Sequence, residues 1–174
     1  GLHIPVSGAR EDPRDAFVST RFDTLATLPP GARVGTSSLR RTCQLRALYP
    51  RLEIVSLRGN VNSRLAKLDG GEFDAIILAC AGLKRLGLMD SLDKRFGVFI
   101  LPPDKWLPAV SQGCLGIECR ADDKRTLEFL APLHHAETFA CVTAERAFLH
   151  ALGAGCTAPV GAHAVVAKGQ LTLK

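Results

Sequence analysis

Apolar positions along the chain fall into short runs separated by polar turns, and their period changes from two to about three and a half as the chain proceeds. Leu2 to Ser7 and Ala16 to Ser19 read as short strands, divided by the polar stretch Arg10-Glu11-Asp12-Pro13-Arg14-Asp15. Pro29-Pro30-Gly31 marks a turn, after which a strand-then-helix pattern repeats. A strand end at Arg33 to Gly35 runs through Thr36-Ser37-Ser38, which supplies cap residues, into a helix over Leu39 to Leu48 that Tyr49-Pro50 stops. Leu52 to Leu57 is the next strand. Arg58-Gly59-Asn60 forms its turn, and Val61 to Leu68 is a helix closed by Asp69-Gly70-Gly71. Phe73 to Ala79 is almost wholly apolar, as expected of a strand covered on both faces, and Ala81 to Leu86 begins a third helix. Units of this length predict an α/β fold with a mostly parallel, layered sheet.

Beyond Gly87 the periodicity weakens, and Leu101-Pro102-Pro103 with Leu107-Pro108 suggests a crossing between lobes. Leu115 to Arg120 reads as a strand and Asp122 to Leu130 as a helix. A longer helix over Ala136 to Leu152 sets Glu137, Glu145 and Arg146 on a polar side. Strand-like Ala162 to Ala167 and Gln170 to Lys174 flank a Lys168-Gly169 turn.

With 174 residues, 47% of them hydrophobic, and a net charge of +5, the chain holds enough apolar material for a core and is not disordered as its main state. The longest apolar run, Ala75 to Leu83, is far short of the ~18 to 20 residues of a membrane helix. The start, Gly-Leu-His-Ile, has neither an initiator Met nor the cationic and apolar blocks of a signal peptide, and reads as that of an excised piece. Most of the six cysteines sit in apolar or helical patterns without a C-x-x-C pair, which favours a reducing, cytoplasmic compartment over disulfides, zinc or a redox motif. His134-His135 and His163 lack a ligand cluster around them and are read as structural, so no metal is expected.

Charge changes the picture more than composition does. Between Arg33 and Arg85 there are ten basic residues and four acidic ones, so all of the positive excess lies in the βα segment, which points to an anionic partner. First turns of helices normally favour Asp and Glu, because the helix dipole leaves partial positive charge there. Here Arg40 and Arg41 follow the Thr-Ser-Ser cap, Arg58 flanks the next corner, and Arg64 lies one turn into its helix. Such starts make sense when an anion sits on the free N–H groups and the guanidinium forks close over it. In a parallel sheet these corners share one edge, so Arg40, Arg41, Arg58, Arg64 and Arg85 are candidates to converge on one polyanionic ligand. No P-loop pattern is present. Gly153-Ala-Gly155-Cys-Thr-Ala158 matches G-x-G-x-x-[GA] only formally, because it follows a helix where a strand is required. Carboxylates suit guanidinium forks as well as phosphates do. Cys156, in a glycine-rich loop, is a candidate nucleophile, with a packed loop cysteine as the plainer alternative.

Five separated segments, in unbroken order over nearly the whole chain, resemble the porphobilinogen deaminase (hydroxymethylbilane synthase) family. They are Val34-Gly-Thr-Ser-Ser-Leu-Arg-Arg41; Ser56-Leu-Arg-Gly-Asn-Val61 with Arg64-Leu65; Asp74-Ala-Ile-Ile-Leu-Ala79 with Ala81-Gly-Leu-Lys-Arg85; Ala109-Val-Ser-Gln-Gly113 with Gly116-Ile-Glu118; and Gly155-Cys156 with Pro159-Val160. The resemblance implies a transferase of heme and porphyrin biosynthesis that joins four porphobilinogens head to tail with loss of ammonia, giving hydroxymethylbilane. Growth takes place on a dipyrromethane cofactor held by a thioether, which motif matching assigns to Cys156. Ser38, Arg40, Arg41, Arg58 and Arg64 are then expected at cofactor or substrate carboxylates. Arg85, Thr36, Ser37 and Gln112 are expected at substrate. The implied partners are porphobilinogen and the growing oligopyrrole, with no nucleic acid and no membrane, in a protein monomeric at full length.

In that family two lobes resemble periplasmic binding proteins and a small α+β domain follows them. On this pattern residues 1–12 are the tail of the first domain, 13–108 the arginine-rich second, 109–132 a return to the first, and 133–174 the start of the third. The family's acid/base aspartate is expected upstream of Gly1. Asp12 and Asp15 are not put forward in its place, and the segment alone is expected to be inactive. Two rivals remain at this point. A non-catalytic lobe binding a small carboxylate leaves Cys156 idle, and a nucleic-acid-binding domain has few stacking residues, with one Tyr and one Trp.

Overall fold

The computed structural model describes residues 1–92, 95–155 and 158–174. A five-stranded sheet organises the first two thirds, built from β2 (Asp15–Ser19), β3 (Arg33–Gly35), β4 (Glu53–Val55), β5 (Ala75–Ala79) and β6 (Gly97–Ile100), with β1 (Leu2–Ser7) preceding it in the chain. Its order is β4-β3-β5-β2-β6. The pairs β3–β4 and β3–β5 are parallel, whereas β2 runs antiparallel to both β5 and β6. The sheet is therefore mixed rather than mostly parallel. The βα repeat accounts for the parallel half. Strand β2 comes from outside that repeat and inserts into the sheet, and β6 follows the weakly patterned segment after Gly87, where sequence periodicity offered no strand.

Helices α1 (Leu39–Leu48), α2 (Val61–Asp69) and α3 (Cys80–Arg85) follow β3, β4 and β5, and a short α4 (Met89–Leu92) comes next. Each strand's period-two alternation feeds two cores. On one face Ala16, Val18, Ile76 and Leu78 pack with Leu57, Leu68 and Leu83, and on the other Phe17, Val34, Ala75 and Ile77 pack with Leu25, Leu45 and Trp106. Every residue of β2 is buried, as the apolar β5 beside it requires.

Outside this sheet, β1 pairs antiparallel with β7 (Gly116–Arg120), followed by α5 (Lys124–Leu130), which Asp123 caps. The long α6 (Ala136–Ala151) packs on the hairpin of β8 (Ala164–Ala167) and β9 (Gln170–Leu173), whose Lys168-Gly169 turn has both residues at positive φ.

Glu145 corrects the expected polar side of α6, because it is fully buried. Its Oε1 accepts from Arg10 Nη1 at 2.7 Å and from the Ala164 amide at 2.8 Å, and its Oε2 accepts from Arg10 Nη2 at 3.1 Å and from the Ser111 amide at 2.6 Å. One carboxylate thus ties together the polar stretch before β2, the segment before β7, α6 and the C-terminal hairpin. Residues 111–113 are fitted tightly to this joint. Gly113, at φ +86, passes so close to the Glu11 carbonyl that an added Cβ would lie 2.3 Å from it.

Candidate functional site

Two strand-to-helix corners meet at one edge of the sheet because β3 and β4 are parallel neighbours in register, with Gly35 beside Val55. At the first corner Thr36 extends the ladder by donating its amide to the Val55 carbonyl (3.0 Å), and its buried hydroxyl accepts from the Ser38 amide (3.2 Å). Ser38 is the N-cap of α1, accepting from the Arg41 amide at 3.4 Å. At the second corner Asn60 caps α2 through Ser63, and Arg64 Nε donates to the Gly59 carbonyl at 2.8 Å. Ser37 joins the corners by donating to the Leu57 carbonyl at 2.6 Å, 3.3 Å from the Ser56 hydroxyl. Neither helix carries an acidic residue in its first turn. The rim so formed presents exposed Ser37 and Arg58 beside half-buried Ser38 and Arg64. Burial, and then the charge of Arg41, push the Arg64 guanidinium below its ordinary value, so cationic groups crowd this edge.

Arg40 and Arg41 sit behind that rim. Both are buried, and both pair with Asp15, the fully buried first residue of β2. Asp15 Oδ2 accepts from Arg40 Nη2 (2.8 Å), Arg41 Nε (3.1 Å) and the Trp106 indole Nε1 (2.8 Å). Its Oδ1 accepts from Arg41 Nη2 (2.6 Å) and Gln112 Nε2 (2.9 Å). The arginines make further bonds inward, from Arg41 Nη1 to the Ile77 carbonyl at 2.9 Å and from Arg40 Nη1 to the Leu107 carbonyl at 2.5 Å. Arg40 Nε is buried without a partner among the described residues.

Burial by itself would raise the Asp15 carboxyl, but Arg41, Arg40 and the Trp106 indole outweigh it and hold the group at about 2. Held so low, Asp15 stays ionised near neutrality and is a poor proton donor there. Its folded value lies below the ordinary 3.8, so the stability it confers is complete above that value and is lost as pH falls toward 2. Denaturant midpoints measured across pH 2–7 are expected to stay level down to about pH 4 as far as this group is concerned, then drop, with the Asp15→Asn variant lacking that part of the slope.

The structure thus brings Arg40, Arg41 and Gln112 together on one carboxylate, and Thr36, Ser37, Ser38, Arg58 and Arg64 along one edge. Arg85 lies apart from the rim, its Nη2 donating at 2.7 Å to the Gly113 carbonyl that also receives the Glu11 amide. Cys156 lies outside the described residues. Asp15 and Trp106 are the residues that pattern reading missed. The only signals were an acid opening an otherwise apolar strand and a lone Trp after a Pro-Pro turn. Among the described residues no group of His, Cys, Asp and Glu is arranged to hold a metal, and no helix is long and apolar enough to cross a membrane.

Residues 1–128 match the family described as porphobilinogen deaminase, dipyromethane cofactor binding domain, and residues 139–174 match porphobilinogen deaminase, C-terminal domain. Among solved structures the chain is similar to a putative methionine-binding lipoprotein from Bacillus subtilis, at 13% identity over 79% of this chain and 63% of that one, with a TM-score of 0.50. It is also similar to a periplasmic binding protein of high arginine specificity from Salmonella typhimurium, at 15% identity over 86% of this chain and 58% of that one, with a TM-score of 0.42. A periplasmic binding protein from Brucella ovis with glutathione bound is 18% identical over 88% of this chain and 45% of its own length, with a TM-score of 0.41. The chain therefore spans between 45% and 63% of these three structures. The likeness to the lipoprotein is one of fold, and it agrees with the expected periplasmic-binding-protein-like lobe.

Proposed function

Starting from the fact that this chain belongs to the porphobilinogen deaminase family, we propose that it serves tetrapyrrole biosynthesis as the transferase part that carries the cofactor, joining four porphobilinogens head to tail with release of ammonia to give hydroxymethylbilane. Supporting this is the double corner, where two adjacent helix starts carry Ser38, Arg58 and Arg64 in place of the usual acids and Ser37 bonds one corner to the other. Such an edge suits a ligand bearing several carboxylates in a row, as each pyrrole with its acetate and propionate does.

The donor set fits dipyrromethane. Among the described residues Arg58 and Arg64 form no ion pair and Arg64 spends only Nε on a backbone carbonyl, so both keep their forked Nη groups for carboxylates. When bound, the cofactor supplies the pyrrole carbon on which the chain grows, and Cys156 is its proposed attachment point. Ser38, Arg58 and Arg64 hold carboxylates at the rim. Arg41, fixed by Asp15, adds positive potential behind them, and Arg40 braces that pair and the Leu107 carbonyl. Thr36 and Ser37 set the shape of the corner. Gln112, held on Asp15, and Arg85, held on the Gly113 carbonyl, are retained as proposed substrate contacts. Division into 1–12, 13–108, 109–132 and 133–174 is retained as part of this proposal, as are a cytoplasmic location and a full-length monomer.

Intact-mass and peptide analysis of the protein tests the assignment. A mass increment of two pyrrole units on the peptide containing Cys156 is expected, and an unmodified thiol in active protein would overturn it. An unmodified protein that instead binds small carboxylates reversibly would indicate the rival binding lobe. In the Arg58→Ala/Arg64→Ala variant, the loaded fraction is expected to fall by roughly tenfold or more, because charge-assisted bonds are removed, while the unfolding midpoint shifts little, since Arg58 is exposed and Arg64, half-buried, gives up one backbone bond. Arg41→Leu is a poorer test, since it also strips a partner from buried Asp15.

A further inference from the structure

Next to the Asp15 cluster, which it meets through Trp106, lies a cleft of about 250 Å³, between the 3-10 turn Leu25–Thr27, the end of α1 and the segment that leaves β6. Its floor is apolar: Leu25, Leu101 and Trp106 are nearly inaccessible, while Phe99 is 40% exposed at the mouth. Tyr49 lines one wall, and Lys105 is the only charged residue in the lining among the described residues. An adjoining cleft of about 270 Å³ shares Leu25, Ala26, Leu48 and Tyr49 with it, and the only charged residue lining it among the described residues is Arg51. An apolar slot whose two charged neighbours are both cations is complementary to an apolar anion. Its volume is below the roughly 300–1,000 Å³ of drug-sized sites, which restricts the ligand to about one ring.

We propose that this cleft is a second ligand site, separate from the arginine rim, for a single-ring apolar carboxylate whose ring lies between Tyr49 and Phe99, over the floor that Trp106 helps to form, and whose carboxylate meets Lys105. The Trp106 indole donates to Asp15 Oδ2 at 2.8 Å, and Asp15 holds Arg40 and Arg41. A ligand filling the cleft therefore presses on the floor residue that bonds the carboxylate positioning both arginines, and occupancy of the cleft reaches them through one hydrogen bond. The site does not depend on what the rim binds.

Trp106 is the only tryptophan in the chain, so its emission and its indole N–H resonance report the cleft without labels. Titration with 3-phenylpropanoate is expected to give a saturable change in both signals. Lys105→Gln should weaken that binding about tenfold while leaving binding of the neutral 3-phenylpropan-1-ol unchanged. Ala26 is exposed on the cleft wall, and Ala26→Phe, which fills the slot without entering the core, should abolish the response. No saturable response, a response that survives Ala26→Phe, or equal affinity for acid and alcohol would overturn the proposal. An Arg41 Nε–H resonance that does not move with the indole signal would overturn its link to the arginines.

Discussion

Replacing Asp15 by alanine is expected to cost the chain roughly 3–5 kcal/mol of stability, because two guanidinium groups then remain buried without a counter-charge. Arg40 and Arg41 are only 5% and 7% exposed, and neither can reach water without opening the sheet edge. Five donors lose their acceptor at once, the Trp106 indole and the Gln112 amide among them. In a chain of this size each kcal/mol corresponds to roughly 2–4 °C, so the unfolding midpoint should fall by on the order of 10 °C. Urea unfolding followed by Trp106 emission checks this. Adding Arg40→Met to Asp15→Ala should restore part of the loss, since it removes one of the stranded cations. A loss under about 1 kcal/mol, or no recovery in the double variant, would mean that water or rearrangement compensates the arginines.

Glu145→Gln is expected to cost roughly 3 kcal/mol or more, although it keeps the shape of the side chain. All four contacts to this carboxylate are donors: two from Arg10 and the amides of Ser111 and Ala164. An amide group must turn its own NH2 toward at least one of them, leaves the Arg10 cation without its counter-charge, and relaxes the junction it holds. The damage should be regional. Hydrogen exchange is expected to quicken through α6, β8 and β9 and around residues 7–12, while the β2–β5 amides stay protected. Uniform loss of protection over the whole chain would show that the two carboxylate clusters behave as a single cooperative unit. They are adjacent through residues 111 and 112, since Ser111 serves Glu145 while Gln112 serves Asp15 and lends its carbonyl to Arg10 Nε at 2.9 Å.

Much of the fold was legible because it rests on short-range physics. The caps Ser38 and Asn60, the stops after Leu48 and Asp69, and the two-faced burial of β5 all follow from residues within a few positions of one another. The cationic corners were equally plain, since Arg40, Arg41, Arg58 and Arg64 stand where helices ordinarily begin with acids. Strand β6 was missed because four residues after a stretch without clear period carry little signal, and its place comes from the edge that β2 offers it. The antiparallel insertion of β2 escaped for a related reason: a strand's direction is set by its partners, not by its own alternation.

The sequence by itself determined most of the elements, the family and the concentration of positive charge at two turns, because propensity, capping and local charge are properties of neighbouring residues. Only the tertiary structure decided which of those charges face outward. Arg41 meets Asp15 across 26 positions, Gln112 meets it across 97 and Arg10 meets Glu145 across 135, so their burial is fixed by long-range packing. A buried ion is tolerated only where the fold delivers its partner. Which arginines wait at the rim and which brace it from behind is therefore a property of the folded sheet.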